Sequence, residues 1–73
     1  MRENLQAARK GKKLTQQAMA ELLGIDIRYY KAIEYGERLG GVDLWDKMED
    51  ITGTHQRILR ETSKNHPAQE DSQ

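Results

Sequence analysis

Seventy-three residues with no cysteine make one small domain and exclude disulfides, zinc-thiolate sites and cysteine nucleophiles. A mean hydropathy of −0.96 and apolar runs of only two or three residues, such as Leu22–Leu23, argue against a transmembrane helix or a secretory leader, while a single valine, Val42, argues against an all-β sandwich. Twelve basic and twelve acidic residues cancel overall, yet residues 1–38 carry +3, residues 39–61 carry −2 and residues 62–73 carry −1, so the expectation is a small, cytoplasmic, all-α domain with an electrically lopsided surface.

Residues 2–10 are rich in helix formers, with Leu5 and Ala8 at helical spacing. Gly11 and the Lys12–Lys13 pair predict the end of this helix. Thr15 is a good N-cap for a second helix whose Met19, Ala20 and Leu23 point inward and which stops at Gly24. Asp26 is the next N-cap, and IRYYKAIEY runs from it to Gly36. On a helical wheel Ile27, Arg28, Lys31, Ala32 and Tyr35 fall on one arc of about 140°, with Tyr30 and Ile33 opposite. One face can pack while the other is offered outward. The Gly-rich segment 36–41 breaks the helical pattern. VDLWDKMEDIT then reads as an amphipathic helix with Leu44, Trp45, Met48 and Ile51 on its apolar side, ended by Gly53. Thr54 is the expected cap of a short last helix with Ile58 and Leu59 as its apolar pair. From Thr62 the chain is polar, and 62–73 is expected to be a disordered tail following a domain at 1–61.

The stretch from Thr15 to Gly36 carries the functional signal. A helix of about eight residues, a turn of about three plugged by Ile25, and a second helix approached closely at Ala20 form the pattern of a helix-turn-helix. With LTQQAMAELLGI at 14–25, AIEYGER at 32–38 and the Gly36–Gly53 interval, the chain resembles the phage repressor/Cro-like (XRE-type) DNA-binding family over about residues 3–60. The resemblance implies a compact five-helix repressor-type domain, with helices 2 and 3 as the DNA-reading unit. By position it implies that Gln16 holds a phosphate, that Ile27, Arg28 and Ala32 face the bases, and that Tyr35 and Arg38 touch the DNA backbone. Lys31 joins that basic side. The resemblance also pairs Arg9 with Glu34, tying the first helix to the third.

The sequence departs from the family's pattern in four respects. Arg28 is the only strong hydrogen-bonding residue of the base-facing set, since Ile27 and Ala32 offer apolar contact alone. Tyr30 replaces a branched aliphatic, so its ring is expected to be buried with the hydroxyl reaching out. Gly40–Gly41 replaces Pro-Ser, which implies a looser loop. The net charge is low for a DNA binder.

Other candidate chemistry is weak. His55 and His66 are too far apart in character, one helical and one in the tail, to suggest a metal site. Asp43, Asp46 and Asp50 read as a solvated helix face, and Ser63 and Ser72 have no packed site around them. Neither enzyme activity nor any cofactor, metal or small-molecule ligand is expected. The function expected is a transcriptional regulator, a repressor, that binds double-stranded DNA sequence-specifically. The alternative is a protein-interaction module on the same fold, anti-repressor or antitoxin-like, using Ile27, Tyr29 and Tyr35 as a patch. One reading helix gives little specificity, so a homodimer on an inverted repeat is expected, with half-site centres ~34 Å apart. Its interface is expected in the acidic half, at Leu39, Ile58 and Leu59, and its assembly can wait for DNA.

Overall fold

Short polar side chains start the second and third helices of this chain, and glycines end the second and fourth. The computed structural model describes residues 1–62. It contains α1 (Glu3–Gly11), α2 (Gln16–Leu23), α3 (Ile27–Glu34), α4 (Val42–Thr52) and α5 (Gln56–Leu59), with no strand among the described residues. Ser63, His66, Ser72 and the rest of the anticipated tail beyond Thr62 lie outside them.

Thr15 Oγ1 accepts from the Ala18 backbone N–H at 3.0 Å, and Asp26 Oδ1 accepts from the Arg28 N–H at 2.7 Å, each satisfying an orphan donor of the first turn. Gly24 takes the left-handed conformation at φ 73° and returns its N–H to α2. The Ile25 N–H then reaches the Ala20 carbonyl at 3.0 Å, which turns the chain sharply into α3. Two boundaries differ from the sequence reading. Gly11 is the last residue of α1 rather than a stop beyond it, and the left-handed turn falls on Lys13 at φ 59°. The cap of α5 is His55, whose Nδ1 accepts from Arg57 N–H at 3.0 Å, and not Thr54; Thr54 N–H is instead taken by Thr52 Oγ1.

The core consists of Leu5, Met19, Ala20, Leu23, Tyr30, Ile33, Trp45, Met48 and Leu59, ringed by Ala8, Leu14, Ile25, Ile27, Leu44 and Ile51. α2 packs on α3, α1 on α5, and α4 closes against α1, α2 and α5. The apolar stripe of α4 supplies its largest piece, Trp45. The 35–41 loop is not slack. Trp45 Nε1 donates to the Leu39 carbonyl at 2.7 Å, and Gly40, at φ 81°, lies so close to Ile33 and Trp45 that a Cβ there would meet Ile33 Cδ1 at 3.3 Å. Gly40 is thus a tight fit, because the chain crosses the core's edge there in a conformation L side chains resist, whereas Gly41 is extended with open space beside it.

Candidate nucleic-acid interface

The α2–turn–α3 unit is held by one buried carboxylate. Glu34 is fully buried, and four donor bonds reach it. Arg9 Nε donates to Oε2 at 2.8 Å and Nη2 to Oε1 at 3.3 Å, Tyr30 Oη donates to Oε2 at 2.7 Å, and Gln16 Nε2 donates to Oε1 at 2.8 Å. One side chain of α3 is therefore bonded to α1, to the first turn of α2 and to its own helix. Burial pushes the Glu34 carboxyl up, but the donors from Arg9, Tyr30 and Gln16 outweigh it and hold the acid below its usual range. Burial, with the neighbouring Glu34 charge, pushes the Tyr30 phenol well above its ordinary value. The Tyr30 hydroxyl thus turns inward onto Glu34 and does not reach out. One helical turn separates the two residues, which is the spacing that lets side chains meet.

The other face of α3 is open. Arg28, Tyr29, Lys31 and Tyr35 are exposed, Arg38 follows in the loop, and Ala32 is half-buried. Ile27 sits at the edge of this face, packed partly against the core. Asp26, Arg28, Tyr29, Ala32 and Arg38 line a shallow open depression of about 450 Å³. Arg28 contacts its own helix cap: its Nε lies 3.2 Å from Asp26 Oδ1, and that bond is the chief reason the Asp26 carboxyl sits below its ordinary range. Gln16 stands at the start of α2, half-buried, with one amide hydrogen committed to Glu34.

A residue that sequence reasoning counted only as surface charge organises the far end of α3. Arg2 is buried. Its guanidinium donates to the carbonyls of Ile33, Arg38 and Arg60, its backbone N–H donates to Glu34 O at 2.7 Å, and it lies over the Trp45 ring at 5.3 Å. It fills the negative end of α3 with positive charge and fixes the loop that carries Arg38. The burial of Arg2, Arg9 and Glu34 removes two cations and one anion from the surface, so the positive excess of residues 1–38 that solvent meets is +2 rather than +3. Of the three residues expected at a dimer contact, Leu39 and Ile58 are exposed, but Leu59 is fully buried. Its side chain belongs to the core and is unavailable to a second copy.

A family model described as a helix-turn-helix domain matches residues 3–41, just over half of the chain. The chain belongs to the helix-turn-helix domain family. The match spans α1, α2, α3 and the loop after them, which is the unit that Glu34 and Arg2 hold together. Membership in the helix-turn-helix family points to a DNA-binding regulator. No curated protein and no solved structure matches the chain. No helix among the described residues is long and apolar enough to cross a membrane.

Proposed function

We propose that this helix-turn-helix protein is a sequence-specific transcriptional regulator of the phage repressor/Cro-like type, acting as a repressor in the cytoplasm and reading the DNA major groove with α3. The observation that carries the reading is the division of α3 into two faces. Tyr30, Ile33 and Glu34 are locked into the core, while Arg28, Lys31 and Tyr35 remain outside with Arg38 close behind them. Arg28 has the fork of donors that guanine O6 and N7 accept, while Ile27 and Ala32 suit thymine methyls. Lys31, Tyr35 and Arg38 have the reach and chemistry for phosphates. The second amide hydrogen of Gln16 serves the same purpose at the start of α2. Two copies on an inverted repeat, meeting through Leu39 and Ile58, double the contacts that discriminate one sequence from another.

The test is selection of duplexes from a random pool, followed by a salt titration on the selected site and on random duplex. The expected result is a short inverted repeat whose affinity falls linearly in log–log form with salt, by about 0.9 per phosphate neutralised. A flat salt response refutes DNA binding. That outcome would favour the protein-interaction reading, which rests on the exposure of Tyr29 and Tyr35, 36% and 46%.

A further inference from the structure

Asp26 has a second role besides capping α3. Its Oδ1 takes the Arg28 backbone N–H at 2.7 Å, and the same carboxylate grips the Arg28 side chain, with Nε on Oδ1 at 3.2 Å and Nη2 on Oδ2 at 3.4 Å. Both side chains nevertheless stay on the surface, 88% exposed for Arg28 and 55% for Asp26. Both line the depression shared with Ala32 and Arg38, on the face offered to DNA.

A guanidinium is flat and carries five N–H bonds in fixed forks. The carboxylate covers the fork made by Nε and Nη2. The end-on fork, Nη1 with the remaining Nη2 hydrogen, is on the other edge. It has the geometry that guanine N7 and O6 accept. The cap and the grip act through one side chain, so the Arg28 guanidinium is tied to the first turn of the recognition helix itself.

We infer that Asp26 is a specificity-determining positioning residue, holding Arg28 with its end-on fork presented to a guanine. This inference rests on the DNA reading above. Two consequences separate it from a role in capping alone. An arginine already held in place has less rotamer freedom to lose on the correct base. A carboxylate at the groove edge also repels phosphate, so Asp26 weakens binding to every sequence while sharpening the choice among them.

The experiment compares the full chain with Asp26→Asn, Asp26→Ser, Arg28→Ala and the Asp26→Asn/Arg28→Ala double variant. Asn and Ser both serve as N-caps, but neither offers a carboxylate fork. Each protein is titrated against the duplex selected by the unaltered chain, against its single-base variants, and against random duplex. Thermal melting is followed in parallel. At the base pair most sensitive to Arg28→Ala, the unaltered chain is expected to prefer guanine by roughly tenfold to a hundredfold. Asp26→Asn and Asp26→Ser should lower that preference by at least about threefold and raise affinity for random duplex. In the Arg28→Ala background, Asp26→Asn should leave base preference unchanged. Preference that is indifferent to Asp26→Asn and Asp26→Ser, or that falls equally with and without Arg28, overturns the inference and leaves DNA binding standing. Failure of the unaltered chain to select any duplex overturns both.

Discussion

Removing Arg9 tests the buried carboxylate most directly. In Arg9→Met the aliphatic part of the side chain is kept and both bonds to Glu34 are lost, along with the bond from Arg9 Nη1 to the Leu14 carbonyl at 2.7 Å. Glu34 is completely inaccessible and Arg9 nearly so, so water cannot replace the guanidinium. Breaking a buried pair from one side costs ~3–5 kcal/mol. Tyr30 and Gln16 still donate to the carboxylate, which argues for the lower end, about 3 kcal/mol. A small domain holds at most ~5–15 kcal/mol in total, so this loss is a large fraction of it and lowers Tm by roughly 12–24 °C. Glu34→Leu alone strands the Arg9 cation and costs a similar amount. The double variant Arg9→Met/Glu34→Leu leaves no charge in this cluster and recovers part of the loss, since apolar replacements of buried pairs are often neutral, less the cost of leaving the buried Tyr30 hydroxyl without its acceptor. Trp45, the single tryptophan and buried in the core, reports urea unfolding by fluorescence. A double-mutant cycle then yields the coupling energy directly. A coupling energy near zero, or an Arg9→Met variant as stable as the parent, refutes the reasoning.

The same cluster sets the pH dependence. Glu34 is held below its ordinary value in the folded chain, so its contribution is present above the unfolded pKa of about 4.3 and is lost as pH falls through the folded pKa. Tyr30 is raised in the folded chain, so its contribution is complete below about 10 and is lost as pH rises beyond that. Urea midpoints should therefore form a plateau between the two limits, and Tyr30→Phe should flatten the alkaline arm. An alkaline arm that Tyr30→Phe leaves unchanged contradicts the assignment. Arg2→Ala leaves the carbonyls of Ile33, Arg38 and Arg60 without their donor and should destabilise by at least about 2 kcal/mol in urea unfolding. Gly40→Ala forces an alanine to φ 81° against Ile33 and should cost more than ~1 kcal/mol by thermal melting. Arg38→Ala should leave Tm unchanged, weaken binding to selected and random duplexes alike, and reduce the salt slope by about one; a loss confined to the selected duplex contradicts a backbone role.

The helices were legible in the sequence because their signals are local. Thr15, Gly24, Asp26 and Gly53 act on backbone groups within four residues of themselves. The inward positions of α2, α3 and α4 follow from a period of 3.6. For the same reason Arg28, Lys31 and Tyr35 could be placed on the outer face of α3 without coordinates. Tertiary structure alone decided the rest. The partners of Arg2 are backbone carbonyls 31 to 58 residues away, and no residue pattern encodes where a distant carbonyl will lie. Gln16 could be set at the start of α2 from the sequence, but its bond to Glu34 exists only because α2 and α3 cross. Ile58 and Leu59 are neighbours on a helix of four residues, too short for periodicity to choose between them. α5 packs against α1 and α4, and that packing buries Leu59 and leaves Ile58 outside, a choice made by helices distant in the sequence.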